Sequence, residues 1–259
     1  MSSITTPTTV SMSASTTNNA YGLTILNTRD IEQISRSITG LALTSRSMES
    51  AAERVCTLLH HSLVDPQTSD RACPLVRIFK THPFGELTED LKGYVRRTAP
   101  AEKHTPESPC LTLLGTAGIM PSWNSRHLSG SHRAIALTSI EVVERAPMIA
   151  NLFRQLGCDL DWVVKPNPEV LMVTQPALNV FFIPDARGSE FIPSQSDFVT
   201  PYGIRSVIGF GGILPKGDLF VCILFSRSTL SREIALLFNE LVQPLRSLLL
   251  QYEEQVFFN

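Results

Sequence analysis

Apolar positions in this chain follow two rhythms, and the changes from one to the other mark out its elements. Ile31, Ile34, Ile38 and Leu41 recur at three- and four-residue intervals, and so do Met48, Ala52, Val55, Leu58 and Leu59. Such spacing gathers side chains on one face of a helix. Two helices are therefore predicted within residues 30–64, the first opened by a capping box at Asp30-Ile-Glu-Gln33 and the second ending before Pro66. Compact apolar runs follow at Pro74 to Lys80, Cys110 to Leu114, Arg133 to Leu137, Trp162 to Val164 and Asn179 to Ile183. Short runs of this kind, bounded by Gly, Pro and polar clusters, read as strands. The Gly-Thr-Ala-Gly after Leu114 reads as a turn, and Thr88 to Arg96 as a short helix. A second capping box, Thr138-Ser-Ile-Glu141, opens a helix carrying Ile140, Val143, Ile149, Leu152, Phe153 and Leu156 up to Gly157. Pro147 inside that pattern either kinks the helix or marks its true start.

The clearest pattern runs from Pro201 to Leu237. Ile204 to Phe210 and Leu219 to Ser226 are rich in β-branched and aromatic residues, and Pro215-Lys-Gly217 between them suits a hairpin turn. Ser231 then caps an exit helix over residues 229–250, with Ile234, Leu237, Phe238, Leu241, Leu245 and Leu248 in one stripe. Pro244 would clash with the carbonyl of Glu240, so a bend is expected there. Residues 1–28 are dominated by Ser and Thr and are expected to form a flexible tail, leaving 29–259 as a single domain.

Composition narrows the function classes. With 43% hydrophobic and 18% charged residues, a formal net charge of −2 and scattered Lys and Arg, the chain lacks the basic patch of a nucleic-acid binder. Five cysteines, widely separated and without a Cys-x-x-Cys pair, fit reduced thiols rather than a disulfide framework or zinc site. No apolar run reaches the roughly 20 residues that span a bilayer, and no secretory leader pattern opens the chain, so a cytoplasmic location is expected.

Most residues that suggest chemistry do so weakly. His61-Ser-Leu-Val-Asp-Pro66 has the His-to-Pro spacing of a phosphoacceptor box without the usual acid after the His. Gly209-Phe-Gly-Gly212 lacks the Lys-Ser/Thr of a phosphate loop and lies in strand sequence. His127 and His132 have no acidic partner nearby to complete a metal set. The segment Met120 to Ser131 is the best candidate for a pocket lid: Trp123 offers an aromatic face, Arg126 a planar cation, and His127 and His132 flank them. Phe198, Tyr202 and Arg205 stand at the entrance to the closing hairpin, where Arg205 in an apolar strand must find a partner, a ligand or solvent. These seven residues form the candidate ligand site, with no catalytic or metal residues assigned.

The element order, together with Ile204 to Ile208, Leu214 to Gly217, Asp218 to Phe225 and Ser228 to Ile234, resembles the GAF sensory fold across roughly residues 30–250. LLGTAGIMPSWNSRH and FIPSQSDFVTPYGIRSVIGFGG are similar to a variant group of GAF-like domains at the N-termini of bacterial signalling proteins. The resemblance implies an α/β fold of the α+β kind. A central antiparallel sheet carries the terminal helices on one face, with loops near 115–131 and 184–202 plus a short helix on the other. It implies a non-enzymatic sensory module, homodimeric through its terminal helices, with Leu241, Leu245 and Leu248 partly facing a twin. A separate output protein would receive the signal and a small molecule would be the input; no cofactor is named, and neither nucleic acid nor membrane is a partner. A pocketless interaction domain is one alternative. A thiol-dependent reductase of GAF type is another, and it would draw on Cys110 and Cys158.

Overall fold

The computed structural model describes residues 19–166 and 180–253. Six antiparallel strands make the central sheet: β3 (Leu75–Pro83), β4 (Pro109–Gly118), β5 (Ala134–Ala136), β6 (Phe181–Ile183), β7 (Ser206–Ile213) and β8 (Leu219–Ser226), in the order β5-β4-β3-β8-β7-β6. A small parallel pair, β1 (Tyr21–Gly22) with β2 (Leu63–Val64), lies apart from it. Both faces of the large sheet are covered, which is why its central strands read as continuous apolar runs rather than alternating ones. Along β8, Phe220, Cys222 and Leu224 enter one core while Val221, Ile223 and Phe225 enter the other.

The first core holds the terminal helices α1 (Thr28–Gly40), α2 (Met48–Ser62), α7 (Arg232–Leu237) and α8 (Val242–Leu250), with Ile34, Val55 and Leu245 on Val76, Ile78 and Phe210. The second holds α4 (Ile140–Glu144), α5 (Pro147–Leu156) and α6 (Leu160–Val164), with Phe153 and Leu156 among residues packed with Phe79, Val221 and Ile223. A further helix, α3 (Glu89–Thr98), is capped by Thr88. This is the GAF-like α+β arrangement that the sequence resemblance implies.

The closing hairpin is fastened to the sheet by its own turn. Gly217 takes φ of 92°, and Asp218 turns back to bind the buried Lys80 Nζ at 2.6 Å while Leu219 N donates to Thr81 Oγ1 at 2.8 Å.

Several local expectations are revised. Tyr21 pairs with Leu63 and Leu23 is fully buried, so packed structure begins before residue 28; residues 1–18 lie outside the described residues. Asn27, not Asp30, caps the first helix, with the Asp30 side chain closing the box from the third helical position. The Gly-Thr-Ala-Gly segment continues β4 instead of turning. Trp162 to Val164 is helical, because Asp159 accepts from Asp161 N and caps α6; a short apolar run does not by its period distinguish strand from helix. Asn179 lies outside the described residues, and its strand begins at Phe181. Pro147 starts a second helix, so the predicted single helix is two. The exit helix is likewise divided, by a 3-10 turn at Phe238–Leu241, which puts Pro244 in the first turn of α8 where its missing N–H is tolerated. Leu241, Leu245 and Leu248 are buried against their own chain, not offered to a twin.

His60, beside the phosphoacceptor-like His61, is buried in this fold. Arg71 Nη1 lies 2.9 Å from His60 Nε2; because a guanidinium only donates, Nε2 accepts, and Nδ1 therefore donates to Cys73 O at 2.8 Å. Burial, followed by the Arg71 charge, brings its pKa from 6.5 down to about 4 against the opposing Cys73 bond. The unfolded chain thus takes up this proton first. His60's contribution to stability is complete above pH 6.5 and is lost as pH falls toward 4, with a limiting slope of about 1.4 kcal/mol per pH unit. His82, buried in β3, shifts in the same direction, so the informative quantity is the difference from a variant. In denaturant unfolding across this range, His60→Asn is expected to show a shallower loss of stability than wild type; parallel curves would remove His60 from the account.

Candidate functional site

The outer face of the sheet, opposite the terminal helices, carries a hollow of about 460 Å3. Leu75, Arg77 and Phe79 of β3 line it at alternate positions, as a pleated strand requires. The segment after β4 forms one wall because it is tied to the strand it leaves: Thr116 Oγ1 donates to Trp123 O at 2.8 Å, and Gly118 N donates to Asn124 Oδ1 at 2.9 Å. The opposite wall comes from residues 192–202. There Gln195 Nε2 donates to Ala186 O and Ile192 O at 3.0 and 2.8 Å, while its Oε1 accepts from Gly188 N. One side-chain amide therefore ties three points of this loop together.

The two walls meet through aromatic rings. Trp123 stands edge-on to Tyr202 and Phe198, with centroids 4.5 and 5.7 Å away, and Phe198 stands edge-on to Phe225 of β8 at 4.9 Å. These are favourable separations for quadrupole-aligned pairs. His132, in a left-handed backbone conformation with φ of 58°, also lines the hollow.

Four of the seven residues picked from the sequence, Trp123, His132, Phe198 and Tyr202, line this hollow. The other three do not. Arg126 is buried and binds Glu49 Oε1 at 2.6 Å, pinning the loop to the start of α2; His127 is exposed beside the same carboxylate, its Nε2 3.8 Å away. Arg205 is half-buried just before β7, where its backbone N donates to Ser226 O and its carbonyl accepts from Ala186 N.

The cation that sequence reading missed is Arg77. It is 8% exposed, its Nη2 donates to Ser129 Oγ at 3.1 Å, and its buried Nε has no hydrogen-bond partner. The signal is present, since an Arg in an apolar strand has to be accounted for, but the run Pro74 to Lys80 reads simply as a buried strand. Burial takes Arg77 down to about 10, so it remains a cation at neutral pH.

The thiols offer no comparable chemistry. Cys110 and Cys158 are buried in opposite cores, and burial pushes them up to about 12 and 11. A nucleophilic thiol needs the reverse shift and solvent access. Among the described residues no group of three His, Cys, Asp or Glu side chains converges for a metal, and no helix is long and apolar enough to cross a membrane.

Sheet, paired helical layers and roofed hollow define a GAF-like α+β domain. No protein-family model matches the sequence, and neither does any curated protein. Similar solved structures include the GAF domain of a phosphoenolpyruvate-protein phosphotransferase (ptsP) from Coxiella burnetii, at 12% identity, TM-score 0.47, over 88% of this chain and 98% of that one. Another is the free methionine-R-sulfoxide reductase from Neisseria meningitidis in complex with its substrate, at 9% identity, TM-score 0.48, over 92% and 98%. A third is the phycoerythrobilin-bound GAF domain from a cyanobacterial phytochrome, at 11% identity, TM-score 0.43, over 88% and 97%.

Proposed function

We propose that this chain is a sensory module that binds a small molecule in the hollow over the outer sheet face and relays its occupancy to the terminal helices. The observation that carries this reading is the 460 Å3 hollow itself, walled by Trp123, Phe198 and Tyr202. Ligand pockets of roughly 300–1,000 Å3 are mostly apolar with a few placed polar groups, and this one has that make-up. Its size also weighs against a pocketless interaction domain. The raised thiols weigh against a cysteine-dependent reductase.

Relay is physically reasonable because β3 serves both cores: Arg77 and Phe79 face the hollow while Val76 and Ile78 support α2 and its neighbours. A ligand acts through such a strand only by binding two arrangements of the domain unequally. The signal would pass to a twin chain or a separate output protein. A twin would have to be met through outward residues such as Leu236, 46% exposed on α7, since the inner leucines are already packed.

The test uses Trp123 as reporter, with the second tryptophan removed by Trp162→Phe. Screening small molecules should find compounds that change Trp123 emission and raise the melting temperature. At a hundredfold excess over Kd the gain is about 2.7 kcal/mol, or roughly 5–10 °C for a domain of this size. Met148→Trp, which fills the hollow from its wall, should abolish both responses. Responses that survive Met148→Trp would place binding elsewhere and defeat the reading.

A further inference from the structure

We propose that Arg77 selects the ligand's class: a small organic anion with one acidic group on a flat apolar body, its charge held by the guanidinium at the hollow's floor. This rests on the reading of the hollow as a ligand site. It goes further by assigning an anchor that sequence reasoning did not pick and a chemistry for what binds.

Among the described residues, Arg77 is a buried cation without a counter-charge. A buried cation is normally paired, because the cost of desolvation is otherwise uncompensated. Among the described residues the buried cations Lys80 and Arg126 each have a carboxylate at 2.6 Å, whereas no carboxylate lies within 4.0 Å of Arg77. Among the described residues, one of its five N–H donors is used, on Ser129, whose own hydroxyl is turned to Ser131 O at 2.9 Å. That bond fixes the plane of the guanidinium and leaves donors for a ligand.

The surroundings suit an acid with a flat body. Asp197, the acidic residue on the lining, is exposed at the rim and accepts a hydrogen bond from Ser196 Oγ at 2.9 Å, so it does not neutralise the floor. Phe79, Trp123, Phe198 and Tyr202 provide apolar and aromatic surface around the cation. A planar fork in a dry setting favours bidentate carboxylate or phosphate oxygens over neutral acceptors.

The experiment compares three probes that share one ring: benzoate, phenyl phosphate and the neutral isostere benzamide. Each is titrated into the full chain and followed by Trp123 emission and by NMR shifts. In the wild type at least one acid should bind roughly tenfold more tightly than benzamide, as a charge-assisted pair predicts. Arg77→Met should bring that acid down to the level of benzamide while changing benzamide little. Arg77→Lys, which keeps the charge without the fork, should recover only part of the preference. Equal binding of acids and amide to the wild type would overturn the anion proposal and leave the site standing. If no probe perturbs Trp123 or the hollow's resonances, the site and this proposal fail together. Arg77→Met should also be about as stable as wild type without ligand, since an unpaired buried charge is exchanged for an apolar chain. Melting many degrees lower would make Arg77 a structural cation and overturn its assignment.

Discussion

Arg126→Met is expected to cost about 3–5 kcal/mol of stability, the usual penalty for removing one member of a buried ion pair. Arg126 and Glu49 are 2% and 3% exposed at the side chain and 2.6 Å apart, and they join the loop after β4 to the first turn of α2. Without the guanidinium, Glu49 keeps its desolvation cost and loses its main compensation. Glu53, one turn along, makes matters worse: burial and then the Glu49 charge already raise its pKa, and Arg126 is what opposes them. The diagnostic is the double variant Glu49→Met with Arg126→Met. Replacing both charges by apolar groups of similar volume is often neutral or stabilising, so the double variant should recover most of the loss. Urea unfolding of wild type, single and double variants measures this directly. A single variant within about 0.5 kcal/mol of wild type, the range of ordinary surface changes, would show that the pair contributes little.

Gly115→Val is expected to be at least as damaging. A Cβ at this position would sit 2.5 Å from the Ala52 carbonyl carbon and 2.6 Å from Glu53 N, both backbone atoms of α2 that no rotamer change can move. The helix must lift off the sheet, opening the core around Val55, Leu114 and Ile78. Overpacking commonly costs about 1–3 kcal/mol when side chains can yield, and here they cannot, so a loss above about 3 kcal/mol is expected. Gly115→Ala carries the same first atom and should lose most of that amount. If both variants melt with wild type, α2 does not lie as close to β4 as described.

These two positions also show what one sequence conceals. The hairpin and the helix stripes were legible because their information is local: Pro215-Lys-Gly217 sets the turn, Ser231 caps, and apolar spacing names the buried face. Gly115 reads as part of a turn because a glycine demanded by a helix crossing overhead looks the same in sequence as one demanded by backbone conformation. Arg126 groups with Trp123 in the sequence because they are near neighbours along the chain, while its partner Glu49 is 77 residues away. The aromatic walls could be suspected, since Trp123 and Phe198 sit in segments whose apolar residues no helix or strand period explains. Arg77 is hidden for the opposite reason: the apolar residues around it account for a buried strand by themselves.

The most direct test of the central claim, that the outer hollow is a ligand site, is native mass spectrometry of freshly purified protein beside Met148→Trp. The account predicts a small-molecule adduct retained by the wild type and absent from the filled variant. A wild type that flies bare, or the same adduct on both proteins, would contradict it.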